Sequence, residues 1–265
     1  MDSLSIVVPA FNEARRLPAL FEGLDADADR AAQAADLTVL EVIVVDDGST
    51  DETPGLLAER ERTDPRLRMI RYEPNRGKGA AVRRGALEAT GDYVLVTDVD
   101  LSTPLSELAG LSSALREGND VAIGSRGLPS SRIGVHQPFH RELMGKTFNG
   151  LLRLLTGLPY RDTQCGFKLF RLEAARILFD VQRIDGFAFD AELCLNARRL
   201  GMRVSEVPVA WYDRRDTKVK LLRSSLQMAL DLLRIVVLAR RPLPAVTERP
   251  ASAESQRSRS MSAGR

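Results

Sequence analysis

Residues 94–100 read Val-Leu-Val-Thr-Asp-Val-Asp, an apolar run that ends on two acids one residue apart. Alternation along a strand puts Asp98 and Asp100 on the same side, where two hard carboxylates can hold Mg²⁺ or Mn²⁺ against a diphosphate. An Asp-x-Asp pair is a weak signal alone, because strand ends also carry acids for solubility. Its company matters more. Asp46 and Asp47 close another apolar run, and adjacent acids repel unless a donor-rich partner meets them. A carboxylate there can accept the imide proton of a uracil or the amino and imino protons of a guanine. Gly48 permits the tight turn, and Ser49, Thr50 and Asp51 read as turn and capping residues. Pro9-Ala10-Phe11-Asn12-Glu13 closes the first run. Pro9 is expected to end the ladder there, with Glu13 in the first helical turn, where the dipole favours an acid by about 0.3–1 kcal/mol. Asn75-Arg76-Gly77-Lys78-Gly79 is a glycine-rich helix entry carrying a cation, suited to phosphate. It lacks the full spacing of the nucleotide-hydrolase phosphate loop.

Short runs rich in Val, Ile and Leu at residues 4–8, 41–45, 67–72, 93–97 and 121–124 read as buried strands. Residues 13–24, 53–62 and 78–89 carry apolar side chains at helical spacing between them. Such alternation predicts an α/β fold, a mostly parallel sheet flanked by helices with ligands at the carboxyl ends of the strands. Beyond Gly124 come a basic loop at 125–132, helical patterns at about 138–155 and 189–200, and a strand at 204–207. A C-terminal amphipathic helix spans about 221–239. Its Arg223, Asp231 and Arg234 argue against a membrane span, since each charge costs about 2.5–3.5 kcal/mol near the bilayer centre.

With 265 residues the chain has room for one large domain, taken as 1–241, followed by a disordered Pro-, Ser- and Arg-rich tail at 242–265. A net charge of +2, with 28% charged residues, gives no global attraction to nucleic acid. Cys165 and Cys194 lack metal-ligand spacing and read as reduced, buried thiols. The start has no basic stretch before a long apolar run, so no signal peptide is expected. His136 and His140 are four apart but have Pro138 between them and no third ligand, so they read as surface or acceptor-side polar residues. Trp211 and Tyr212 fit either core packing or an interface.

Taken in order, the loops at 9–13, 46–51, 75–79 and 98–100, with Gly-Ser-Arg at 124–126, resemble the family-2 glycosyltransferases of GT-A fold. The resemblance spans residues 4–240. Asp-Thr-Gln-Cys-Gly-Phe-Lys-Leu-Phe at 162–170 and Phe-Asp-Ala-Glu-Leu at 189–193 are similar to the dolichyl-phosphate β-glucosyltransferase branch and its bacterial polyprenyl-phosphate relatives. The resemblance implies a GT-A, Rossmann-like sheet in which Pro9, Phe11 and Glu13 border the nucleotide and Asp46 or Asp47 reads the base. It places Lys78 near the phosphates, and Asp98 and Asp100 at the ribose and the metal, Mg²⁺ or Mn²⁺. Ser102 stands where relatives can have a further ligand, so Asp100 is expected to carry most of the hold on the metal.

The implied reaction inverts a sugar from a nucleotide sugar onto a polyprenyl or dolichyl monophosphate, with UDP-glucose favoured over GDP-mannose as donor. An acceptor phosphate with its second pKa near about 6 is mostly a dianion already and needs no strong base. Arg126, Arg132 and Lys168 are candidates to ease the approach of two anions. Asp190, Gln164 and Glu192 are assigned to sugar, acceptor or loop support. Asp190 would be the base if the acceptor were instead a soluble hydroxyl compound. A lipid acceptor implies peripheral attachment at the cytoplasmic face of the cell membrane. In the helix at 138–155, Phe139, Leu143, Phe148, Leu151, Leu152 and Leu155 lie among Arg141, Lys146 and Arg153, and Arg214, Arg215, Lys218, Lys220 and Arg223 add a basic cluster.

Overall fold

The computed structural model describes residues 1–135, 139–213 and 221–240. The expectations for His136, for Arg214, Arg215, Lys218 and Lys220, and for the tail at 242–265 fall outside these residues. A seven-stranded sheet has the order β3-β2-β1-β4-β7-β5-β8. Its strands are β1 (Asp2–Ala10), β2 (Leu37–Asp46), β3 (Leu67–Arg71), β4 (Tyr93–Val96), β5 (Val121–Ser125), β7 (Lys168–Arg171) and β8 (Val204–Pro208). All pairings are parallel except those of β7, which lies antiparallel between β4 and β5. Two further strands, β6 (Arg132–Val135) and β9 (Ala210–Tyr212), form a small parallel pair.

Burial on both faces explains why β1 reads as an unbroken apolar run. Val7 faces one core with Ile43, Val45, Val94 and Val96, while Ile6 and Val8 face the other with Val42, Val44 and Leu95. Helices α1 (Leu17–Ala34), α2 (Thr53–Thr63) and α4 (Leu108–Arg116) cover the second face. The first face is covered by α3 (Lys78–Glu88), α5 (Phe139–Thr156), α6 (Leu172–Asp180), α7 (Phe189–Arg199) and α8 (Leu221–Arg240). Cys165 and Cys194 are buried free thiols. No helix among the described residues is long and apolar enough to cross a membrane.

Three expectations change. Pro9 does not end the first strand: β1 continues to Ala10, paired with Asp46, and the carbonyl of Ala10 accepts the N–H of Asp47 at 2.8 Å. The first helix begins at Leu17 rather than at residue 13, because Glu13 closes a separate turn through its carbonyl to the N–H groups of Arg16 and Leu17, and Pro18 sits in the first helical turn. In α5 the residues read as one interfacial face divide. Phe148 and Leu152 are buried in the core, whereas Leu151 and Leu155 are exposed.

Candidate active site

The strand order reverses between β1 and β4, and the loops beyond their carboxyl ends flank the crevice that such a reversal opens. Asp98 and Asp100 follow β4 at this place. Lys78, the first residue of α3, reaches Asp98 Oδ1 with its Nζ at 2.6 Å. Burial disfavours the Asp98 carboxylate, but Lys78, Lys168 and Arg126 outweigh it and hold Asp98 below the ordinary range. Lys78 is held above its range by Asp98, Asp190 and Asp100 against the same burial. Both shifts describe one ionised pair. Gly166 approaches from the other side, where a Cβ would lie 2.2 Å from Asp98 Oδ2 and would push the acid out of its present place.

Asp100 is half-buried, and its Oδ1 accepts the N–H of Ser102 at 2.9 Å. Leu101 between them has φ +47°, a left-handed conformation that costs a β-carbon residue roughly 1–3 kcal/mol and folds the loop back on its acid. Ser102 thus acts here through its backbone. Among the described residues no group of three or more His, Cys, Asp or Glu is placed to hold a metal by itself. As two hard carboxylates, Asp98 and Asp100 would suit a divalent cation such as Mg²⁺ or Mn²⁺.

The adjacent acids after β2 do different work. Asp46 is fully buried; its Oδ1 accepts the N–H of Ser49 at 3.0 Å, and Oδ2 lies 3.1 Å from Arg71 Nε. Asp47 accepts the backbone N–H groups of Arg76 and Gly77 and the side-chain amide of Asn75, each at 2.8 Å. It thereby shapes the loop that delivers Lys78. Asn12, at φ +54°, stitches the first loop to the second: its Oδ1 accepts the N–H of Thr50 at 2.8 Å and its own N–H donates to Ser49 Oγ at 2.8 Å. Phe11 stands exposed at this rim, and Glu13 is tied to Arg16 at 3.3 Å.

Because β7 runs against its neighbours, its first residue, Lys168, pairs in register with Val96 and Ile123 near the ends of β4 and β5. Lys168 is fully buried and ion-paired to Asp190, with the Cys165 carbonyl as a second acceptor. Burial opposes its charge, but Asp190 holds it above its usual range, while burial pushes the Asp190 carboxyl itself up against the pull of Lys168. Arg126 makes a two-point pair with Asp162, Nε to Oδ2 at 2.7 Å and Nη2 to Oδ1 at 3.0 Å, and lies 5.5 Å from the Trp211 ring. The pair raises Arg126 and lowers Asp162, in both cases against burial. Lys78–Asp98, Lys168–Asp190 and Arg126–Asp162 therefore form one alternating charge network at the strand ends.

A family model described as glycosyl transferase family 2 matches residues 5–179. The chain belongs to this family. This family-2 glycosyltransferase is 35% identical to a dolichyl-phosphate beta-glucosyltransferase of Dictyostelium discoideum, over 88% of this chain and 73% of that protein. It is 34% identical to the dolichyl-phosphate beta-glucosyltransferase of Homo sapiens over 87% of this chain and 74% of that one. A glycosyltransferase of Haloferax volcanii is 37% identical, with 87% of this chain and 36% of that one covered. Its fold is like that of glucosyl-3-phosphoglycerate synthase from Mycobacterium tuberculosis, crystallised with UDP, at a TM-score of 0.66, 21% identity, and coverage of 92% and 82%. The same enzyme with Mn²⁺ and UDP-glucose gives a TM-score of 0.63 at 20% identity, over 92% and 80%.

In this glycosyltransferase the fold gathers Lys78, Asp98, Asp100, Arg126, Lys168 and Asp190 at the ends of the central strands. Arg132 is apart from them in the contacts it makes: exposed at the start of β6, it is tied by its backbone to Val209. The N–H of Gln164 donates to Asp162 at 3.1 Å. Glu192 falls to the loop-support side of its expected roles. Its two oxygens accept the N–H groups of Arg183 and Ile184 at 2.9 and 2.7 Å. Sequence reasoning gave no role to Asn12, Asn75 or Asp162. Asn12 has a local signal, since Asn tolerates the left-handed conformation and sits beside the strand end. Asp162 has none, because its partner is 36 residues away.

Proposed function

We propose that this glycosyltransferase moves a glucosyl group from UDP-glucose to the phosphate of a polyprenyl or dolichyl monophosphate, with inversion, at the cytoplasmic face of the membrane. The observation that carries the phosphate acceptor is the state of Asp190. A hydroxyl acceptor needs a base, and this acid is buried on Lys168. A phosphate dianion attacks without one. The likeness to dolichyl-phosphate beta-glucosyltransferases over most of both chains supports the same acceptor and sugar.

In this reading Phe11, Pro9 and Glu13 border the nucleotide, and Lys78 with Asp98 faces the donor's diphosphate and ribose. Asp47 shapes the donor loop, with base reading assigned to the Asp46–Asp47 pair. Asp100, with Asp98 beside it, would hold the Mg²⁺ or Mn²⁺. Such an ion supplies charge stabilisation as the nucleoside diphosphate leaves. Arg126, pinned by Asp162, keeps a cation where the two phosphates meet, and Lys168 adds positive potential from below. Exposed Leu151, Leu154 and Leu155 on α5, with Leu230, Leu233 and Val237 on α8, offer apolar surface near Arg153 and Arg234 and support peripheral membrane contact.

Incubating the protein and polyprenyl-phosphate membranes with labelled nucleotide sugars and either metal, then extracting lipid, tests the reading. Glucose from UDP-glucose is expected in the lipid phase. Label from GDP-mannose instead would change the donor, and no lipid label from any donor would end the proposal. Asp47→Asn tests the loop: an amide NH₂ then meets a backbone N–H donor, costing about 1–3 kcal/mol, so nucleotide affinity is expected to fall roughly 10- to 100-fold. Calorimetric titration with UDP and with GDP measures this, and an unchanged affinity would remove the role given to Asp47.

A further inference from the structure

Residues 182–186, between α6 and α7, lie against the turn that carries Lys78. A Cβ on Gly77 (φ +114°) would lie 2.5 Å from the Asp185 carbonyl oxygen, and one on Gly79 would lie 2.5 Å from that of Ile184. The two backbones therefore touch on both sides of Lys78. Hydrogen bonds join them as well. Ala80 donates its N–H to the Asp185 carbonyl at 3.2 Å, and buried Gln182 Nε2 donates to the carbonyls of Gly79 at 2.9 Å and Ile184 at 2.8 Å. Behind this segment stands Glu192, 1% exposed, whose two oxygens take the N–H groups of Arg183 and Ile184. A carboxylate at full burial is costly unless its oxygens are matched, and here each has a backbone donor.

We infer that Glu192 and Gln182 are positioning residues of the transfer reaction: they brace residues 182–186 against the Gly77–Gly79 turn and so aim Lys78 at Asp98 and at the donor diphosphate. This rests on the reading of Lys78 and Asp98 as donor-binding groups. Glu192 touches no reacting atom in this scheme. Its carboxylate fixes two amides, the amides fix two carbonyls, and the carbonyls set how deep the cationic turn sits. A turn free to withdraw would carry Lys78 away from Asp98, leaving that acid without its nearest cation.

Glu192→Gln replaces one acceptor oxygen by a donor, and Gln182→Leu removes the link to Gly79 from the other end. In each, the affinity for UDP with Mn²⁺ is expected to weaken about tenfold, the equivalent of losing one buried hydrogen bond. Hydrogen exchange in the nucleotide-free protein is expected to quicken by a similar factor at residues 77–81 and 183–184. If both folded variants bind UDP as the wild type does, the inference is overturned alone. Weaker binding with unchanged exchange would also overturn it, because Glu192 would then act on the ligand directly. Wild-type protein that binds neither UDP nor GDP would overturn the donor reading and this inference together. Should Glu192→Gln fail to fold, Gln182→Leu carries the same readouts.

Discussion

Asp100→Ala is expected to lower turnover by roughly 100- to 1,000-fold, the loss typical of removing a group that stabilises developing charge at a reacting centre. The fold should hardly notice. Asp100 is half-buried, and the hydrogen bond at stake is the one from Ser102 N–H, worth about 0.5–1.5 kcal/mol. Turnover of nucleotide sugar with Mg²⁺ or Mn²⁺, beside a thermal melt, separates the two effects. A variant with wild-type turnover would show that the leaving diphosphate is neutralised elsewhere. A variant that loses activity only because it melts would move Asp100 from chemistry to structure. Asp98→Ala is the informative contrast, because it also strips Lys78 of the partner 2.6 Å away.

Asp190→Ala is expected to cost about 3–5 kcal/mol, because it leaves the Lys168 ammonium buried without a counter-charge, with the Cys165 carbonyl as its remaining acceptor. For a chain of this size that is a fall of roughly 10 °C in melting temperature. Replacing both partners, as Lys168→Met with Asp190→Leu, should recover most of the loss, since a buried ion pair often exchanges for apolar groups of similar volume at little net cost. Recovery of stability without recovery of transfer is the expected result. It would show that the pair supplies potential to the site rather than holding the fold together. A single variant that melts within a degree or two of wild type would mean the pair is not formed. An Asp190→Asn protein that stays folded yet cannot turn over would return the acid to the role of base, with a hydroxyl acceptor, or to holding the sugar.

The elements that flank the crevice were legible from local pattern. Runs such as Ile6-Val7-Val8 and Ile43-Val44-Val45 have both faces buried, and their uniform apolarity announced parallel strands. Other elements were not. β7 is four residues long and starts on Lys168, a charge that argues against a central strand until its Asp190 partner is known. The Ala-rich half of α1 carries small residues that mark no helix by themselves, and α4 is only nine residues long, although Leu108, Leu111 and Leu115 keep helical spacing. In α5 the helix was legible but its inward face was not. Phe148 and Leu151 are equally apolar, and only the neighbouring core decides that the first is buried and the second exposed.

By itself the sequence determined which chemical groups stand at the strand ends: Asp98 and Asp100, the acids after β2, and a lysine between two glycines. Those are local facts, set by residue type and by a strand's period of two. What only tertiary structure decided is which of these groups face one another and which are spent on the protein's own backbone. Asp47 is committed to the amides of the Lys78 loop, Arg126 to Asp162, Lys168 to Asp190 and Glu192 to residues 183–184. The reason is that a buried charge must find a partner in space, and its choice among distant acids and amides follows from packing rather than from order along the chain.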